Sequence, residues 1–343
     1  MPQRQWPSGW PSLAATMIVA VLFTALPGVG AESMLGFLIM SAPRNSKISY
    51  VKLPDNGDFS HLQPHTLIDT GLRHPQGIAV DQKRKWLYVA DPDVLKIYAY
   101  RLKINGNTLA TDGRQMVISR DAESRWVSVD GLGNVFFSDE PQNLIMRMPM
   151  KKIFRGDTTP EIVYNGHQIS QVSKPGGVAV DNFHVYWTNK HIGTMAGSLV
   201  KGAENPEIDG SPKDTISVMA QNSAKSYGVC LALGNVFFTD ADRSVYGVKK
   251  SGGEIAEVSG QLKHPRGCVW DGDGTVYVAD RGANAVYSFA GNMHHLSHVQ
   301  LSKAFDFEDA FGLAVIASAP RHWGSLHGAV VLVCALLLSI QAV

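Results

Sequence analysis

Cysteine is scarce in this chain. Its 343 residues carry three, and one of them, Cys334, lies in an apolar C-terminal run. The other two, Cys230 and Cys268, suffice for a single bond and cannot be the framework of a disulfide-dense fold. An excess of charge is also missing. Lysine and arginine number 31 against 30 acidic residues, a formal net charge of +1, and no basic run breaks the balance, which argues against nucleic acid as a partner. No Asn-x-Ser/Thr triplet occurs, so N-glycosylation is not expected. Sustained helical periodicity is absent between residues 32 and 318, which argues against alternating strands and helices.

Long apolar runs are confined to the two ends. LAATMIVAVLFTAL, from Leu13 to Leu26, follows one basic residue, Arg4, and precedes PGVGA, with small Val29 and Ala31 at the minus-three and minus-one positions of a cleavage site. That layout predicts a secretory signal peptide over 1–31. The run is short for a spanning helix, which needs about 20 residues. At the other end Ala317, Ser318 and Ala319 precede a polar spacer, Pro320 to Gly328, and an apolar tail that reaches the last residue. Small site, spacer and tail predict a GPI-attachment signal over 319–343, with Ala317 or Ser318 as the attachment residue. A short membrane anchor is the alternative. The expectation is a mature domain over 32–318 in the secretory pathway, anchored to membrane at the cell surface.

Within that domain one phrase is written twice, HPQGIAVDQKRKWLYVAD at 74–91 and HPRGCVWDGDGTVYVAD at 264–280. Weaker copies begin at Glu123, Lys174 and Lys225. Gly77, Trp126, Gly177, Gly228 and Gly267 then mark one column, spaced 49, 51, 51 and 39 residues apart. Each copy reads as a short apolar strand, a turn with Asp or Gly, an alternating strand, a third strand, and a fourth such as EIVY at 161–164. Four short strands every 40 to 50 residues is the period of a propeller blade. Residues 34–53 supply a second and third strand without a first, and 310–317 supply a first strand with nothing after it. Together they make a sixth blade, closed by the C-terminal strand, and the ring keeps no open edge. The expected fold is all-β, a six-bladed β-propeller of four-stranded blades.

The copies resemble known repeats. PxGIAVD followed by YVAD is similar to the NHL repeat, while VYWTN at 185–189 and VFFTD at 236–240 resemble the YWTD repeats of LDL-receptor-type propellers. The likeness spans essentially the whole 32–318 segment, and six blades suit both families. Its implication for function is broad. These propellers include carbohydrate and protein binders, lactonases, strictosidine-synthase-like proteins and amidating lyases, and a shared fold does not transfer activity.

Most of the repeated residues read as structural. Asp81, Asp130 and Asp181 follow the inner strand at a tight turn, where a short carboxylate accepts backbone N–H groups. Asp91, Asp139, Asp240 and Asp280 follow the second strand and resemble the YWTD aspartate that ties blades together. Trp126, Trp187, Trp270, Phe137 and Phe237 lie in apolar alternation and predict packing between blades. DGDG at 271–274 lacks the further acids of a calcium loop and reads as a hairpin turn.

In propellers of this type the segment entering each inner strand surrounds one mouth of the axial channel. The residue before the glycine column samples that ring: Gln76, Arg125, Gly176, Tyr227, Arg266 and Phe311. Lactonases of the gluconolactonase type carry carboxylates and amides there, whereas this sample has no acid. Amidating lyases place histidine after the proline, whereas His74 and His264 come before it. No cofactor is expected. Calcium or zinc belongs only to an alternative reading, a secretory lactonase or hydrolase with ligands such as Asn182, Asn189, Asp240 or Asp280.

What the sample offers is two guanidinium groups three blades apart, with Tyr227 and Gln76 nearby. A planar guanidinium suits carboxylate, sulfate or phosphate. The expected function is recognition of a protein, peptide or anionic glycan without catalysis. The competing reading pairs both arginines with acids such as Asp121 and Glu123. Two smaller groups stand apart. His294, His295 and His298 crowd the outer hairpin of blade 6, with His294 and His298 on one face of a strand, yet no carboxylate or Cys completes a metal site. Cys230 and Cys268 fall at opposite parity in neighbouring inner strands, and a bond between them is possible if the strict geometry is met. The longest polar loop is KGAENPEIDGSPK at 201–213.

Overall fold

In a computed structural model of the chain, which describes residues 36–54, 57–59, 61–190, 195–206, 215–221 and 224–317, the alternating runs are strands and the polar segments between them are turns. The signal-peptide segment, Ser318, the 319–343 tail and positions 207–213 of the polar insert lie outside the described residues. Among the described residues no helix is long and apolar enough to cross a membrane.

Blade 1 holds β1 (Gly36–Ala42), β2 (Lys47–Lys52) and β3 (His65–Ile68). Blade 2 holds β4 (Ile78–Asp81), β5 (Trp86–Asp91) and β6 (Lys96–Asn105), and β6 pairs at its far end with β7 (Thr108–Thr111) and at its near end with β8 (Met116–Arg120). Blade 3 is β9 (Ser124–Val129), β10 (Val135–Asp139), β11 (Leu144–Met148) and β12 (Glu161–Asn165), with a short helix α1 (Met150–Arg155) before the last strand. Blade 4 is β13 (Pro175–Val180), β14 (His184–Asn189), β15 (Ser198–Ala203) and β16 (Ser217–Gln221). Blade 5 is β17 (Ser226–Ala232), β18 (Asn235–Asp240), β19 (Val245–Lys249) and β20 (Ala256–Ser259). Blade 6 is β21 (Pro265–Trp270), β22 (Thr275–Asp280), β23 (Ala285–Ala290) and β24 (Ser302–Asp306). Finally β25 (Leu313–Ala317) returns to blade 1 and pairs antiparallel with β1, Gly36 opposite Ala317 and Met40 opposite Leu313. The chain is a six-bladed β-propeller whose first blade is completed by its last described strand.

The period-2 alternation gives each strand two faces, and each face meets a different neighbouring blade. Buried apolar side chains accordingly form six clusters, one at each blade junction. Phe137, Trp187 and Phe237 are fully buried in the junctions of blades 2 with 3, 3 with 4, and 5 with 6. Fully burying such a side chain is worth about 1.5–3 kcal/mol, so the cohesion of the ring lies between blades. Trp126 and Trp270 line the axial channel, and Trp270 also packs against the cluster between blades 5 and 6, as expected.

Closure of the ring has its own clamp. The Gln82 side chain bridges blade 2 to β25, its Nε2 donating to Val315 O at 2.5 Å and its Oε1 accepting the Ala317 N–H at 3.1 Å. Lys85 Nζ reaches Ala317 O at 3.2 Å.

Near the axis the inner strands approach so closely that the glycine column is a steric requirement. A Cβ at Gly77, Gly177, Gly228, Gly267 or Gly312 would stand 2.3–2.7 Å from a backbone carbonyl oxygen of the next blade. Every junction is also latched by a hydrogen bond to that carbonyl. In four junctions a hydroxyl of the second strand donates: Ser41 to Gln76 O, Ser138 to Gly176 O, Thr188 to Tyr227 O and Thr239 to Arg266 O, at 2.5–2.7 Å. The two YVAD blades have Ala90 and Ala279 at that position. There the glycine amide reaches across by itself, Gly77 N to Arg125 O at 3.0 Å and Gly267 N to Phe311 O at 2.9 Å.

One expectation fails. His294, His295 and His298 lie in the loop at 291–301, between β23 and β24, so His294 and His298 share no strand face. The sequence NMHHLSH has no alternation to sustain a strand, and Met293, Leu296 and Val299 turn inward onto the cluster between blades 5 and 6. The rings of His294 and His295 meet edge to face at 4.5 Å.

Candidate functional site

Two columns of the repeat build the channel mouth. The first is the residue before the glycine column, whose carbonyl is latched to the preceding blade. The second is the residue directly after the YVAD or YWTD-like run, which starts the turn between second and third strands. In blades 3, 4 and 6 this second column supplies Glu140, Lys190 and Arg281, whereas blades 1, 2 and 5 supply Pro43, Pro92 and Ala241. The mouth is therefore lopsided, with its charge on blades 3, 4 and 6.

Arg125 is ion-paired. Its Nη2 lies 2.5 Å from Glu123 Oε1 and its Nε 3.5 Å from Glu140 Oε2. Glu140 also takes a hydrogen bond from Lys190 Nζ. Lys190 is buried, with Nζ 5.6 Å from the centre of the Tyr227 ring. Arg266 stacks over the same ring, its Cζ 4.3 Å from the centroid, and Nη1 donates to Pro265 O at 2.8 Å. Among the described residues no carboxylate stands within ion-pair distance of Arg266. Arg281 lies next along the rim, 2.5 Å from Asp309 Oδ1 and with its Cζ 5.8 Å from the Phe311 ring. Phe311 in turn packs against Trp126 at 5.1 Å.

The competing reading of the arginines thus holds for one of them. Arg125 is paired, with Glu123 as expected and with Glu140, which was not expected, while Asp121 is exposed in the preceding turn. The two acids flank the sampled column, so the mouth holds carboxylates after all. Of the remaining ring residues, Gln76 is buried at 3% exposure and Gly176 passes its carbonyl to Ser138.

The cations converge closely enough to oppose one another. Burial holds the Lys190 ammonium below its usual range, Glu140 opposes that shift, and Arg125 and Arg266 add to it. Burial likewise lowers Arg266, with Arg281 contributing. A polar rim carrying Arg125, Lys190, Arg266 and Arg281 over the aromatic faces of Tyr227 and Phe311 suits an anionic group with an apolar body.

The second-strand aspartates are buried and occupied by backbone amides. Asp91 accepts from Arg73 and His74, Asp139 from Glu123 and Gln142, and Asp280 from Lys263, His264, Gly282 and Ala283. They fasten the crossing segment that arrives from the preceding blade. Asn189 does the same through Ser173 N–H, and Asp240 caps its own turn at Asp242, Arg243 and Ser244. Asp81, Asp130 and Asp181 cap the inner hairpin turns at the other end of the channel, and Asp271 does so within DGDG. Asn182 is also on that far side, accepting Gly131 N–H. The residues named for a lactonase therefore lie on two faces and do not meet. Among the described residues no three His, Cys, Asp or Glu side chains form a metal-ligating group.

A disulfide joins Cys230 and Cys268, stapling the inner strands of blades 5 and 6. Both line a largely apolar channel cavity of about 410 Å³ that runs from the glycine column to Asp271 and Ala317.

No protein-family model matches the chain, and no curated protein matches it. Solved structures do. A chain in the crystal structure of a nidogen/laminin complex is similar with a TM-score of 0.64 at 16% identity, over 83% of this chain and 100% of that one. The gluconolactonase XC5397 from Xanthomonas campestris is similar with a TM-score of 0.52 at 14% identity, over 69% of this chain and 78% of that one. At these identities the likeness is one of fold.

Proposed function

We propose that the chain is a recognition propeller of the cell surface that binds an acidic protein, peptide or glycan ligand at its channel mouth, without catalysis. The observation that carries this reading is Arg266. Its guanidinium is fixed in place on Tyr227 beside Lys190 and lacks a carboxylate of its own among the described residues, an arrangement that a ligand carboxylate or sulfate completes. The disulfide suits an oxidising compartment, which agrees with the signal peptide and anchor expected from the sequence. Support also comes from the nidogen/laminin structure, whose chains were crystallised as a complex of two proteins.

The test is capture of acidic peptides and sulfated glycans by the secreted chain at two salt concentrations, with lactone and ester turnover assayed on the same preparation. Binding should weaken with salt, and Arg266→Ala should reduce it at least about tenfold, the scale of one charge-assisted hydrogen bond, at an unchanged unfolding midpoint. Arg125→Ala should do less, because Glu123 and Glu140 already satisfy that side chain. Unaltered capture by Arg266→Ala would sink the proposal, and so would turnover of either substrate class.

A further inference from the structure

The face opposite the mouth carries a different chemistry. In blades 2 to 6 the inner strand ends there in a hairpin turn, and three consecutive blades place a large apolar residue at the tip. Leu132 of blade 3 is 71% exposed, Phe183 of blade 4 is 76% exposed and Leu233 of blade 5 is 59% exposed. Phe154, on the outer side of α1 in blade 3, is 68% exposed. Turn chemistry does not require such residues, and single scattered ones need no explanation.

These tips are physically linked into one belt. Gly131, next to Leu132, donates to Asn182 Oδ1, next to Phe183, at 2.5 Å. Asp181, two residues before Phe183, pairs with Lys250 Nζ at 3.3 Å, and the Lys250 amide bonds to Gly234 O beside Leu233 at 2.8 Å. Exposed cations stand around the belt: Lys83 in the corresponding turn of blade 2, and Lys151 and Arg155 on either side of Phe154. Two carboxylates beside the belt are turned inward, Asp130 onto the Leu132 and Asn134 amides and Glu204 onto the Asn182 amide, whereas Glu254 and Asp273, in turns of blades 5 and 6, are exposed. Burial, followed by Asp130, pushes Glu204 up to about 7, so this face keeps less negative charge than its sequence suggests. Both Gly36 and Ala317, the outermost described residues, also lie on this face.

We propose that this face rests on a phospholipid surface, with Leu132, Phe183, Leu233 and Phe154 entering the headgroup and acyl boundary and Lys83, Lys151 and Arg155 meeting lipid phosphates. Separate apolar prongs with lysine and arginine beside them in blades 2 and 3 suit insertion into lipid, where the cations meet headgroup phosphates. The inference goes beyond ligand recognition and does not depend on what the mouth binds.

The experiment uses the full chain with Cys334→Ser and a single added cysteine carrying an environment-sensitive fluorophore, at Phe183→Cys on this face or at Leu95→Cys on the mouth face, where Leu95 is similarly apolar and 42% exposed. The probe is vesicles of phosphatidylcholine and phosphatidylserine that contain a bromolipid quencher. The Phe183→Cys label should shift to the blue and be quenched at least threefold more than the Leu95→Cys label. Adding Leu132→Ser and Leu233→Ser should remove most of that difference. Equal quenching at the two positions, or none at Phe183→Cys, overturns the proposal. A response of the Phe183→Cys label to a second protein but not to lipid assigns the face to a protein partner and overturns it as well.

Discussion

The junctions that follow the two YVAD blades and the four that follow the others solve one problem in two ways. All six latch a carbonyl of the next blade, and in five of them the column residue is a glycine beside which no Cβ fits, Trp126 of blade 3 being the exception. In blades 1 and 5 the column glycine donates to a hydroxyl, Gly312 N to Ser41 Oγ at 2.8 Å and Gly228 N to Thr239 Oγ1 at 2.9 Å, and that hydroxyl passes the bond on to the next blade. In blades 2 and 6 the hydroxyl is absent and the amide spans the gap alone. A direct latch leaves less room for adjustment than a relay through a rotatable hydroxyl. This gives a physical reason why the phrases at 74–91 and 264–280 stay so alike while the other copies drift.

Substitutions can break each kind of latch. Gly267→Ala puts a Cβ 2.7 Å from Phe311 O, with backbone on both sides and the direct bond at stake; it should cost about 3–4 kcal/mol in denaturant unfolding. Thr239→Val keeps shape and removes the relay, leaving Gly228 N–H and Arg266 O buried without it; about 2 kcal/mol is expected by the same measurement. The sharpest comparison is the smallest. Ala279→Ser offers a hydroxyl to a junction whose amide is already bonded, in a fully buried position, and should destabilise by about 1 kcal/mol or less. A clear gain in stability from Ala279→Ser would show that the two latches are interchangeable and that the direct one is not adapted to its place.

The fold was legible because its grammar repeats: the glycine column, the aspartate after the second strand, and the two half-blades at 34–53 and 310–317 are all visible in the letters. The mouth was half legible. Sampling the residue before each glycine found Arg125, Tyr227, Arg266 and Phe311, but Lys190, Glu140 and Arg281 occupy the next column of the same repeat, after VYWTN, VFFSD and VYVAD. Reading that column blade by blade would have found them. What no column discloses is pairing. Arg125 and Arg266 hold equivalent positions, yet only Arg125 has Glu140 across from it, because the second column is acidic in blade 3 and basic in blade 6. The histidines at 294–298 were misplaced for a related reason, since a loop without alternation was read as a continuation of the strand before it.

Closing the ring with its own last strand also sets an order of events during synthesis. Ser41 and Gly312, bonded in the finished molecule, are 271 residues apart in the sequence. The edge of β1 has no partner until β25 has been made, and contacts of such separation are the slowest to form. Until then the nascent chain presents an unpaired apolar edge, GFLIMSA, to whatever else is folding nearby. Chaperone capture of this protein should therefore be concentrated on the N-terminal strand and should end when residues 313–317 arrive.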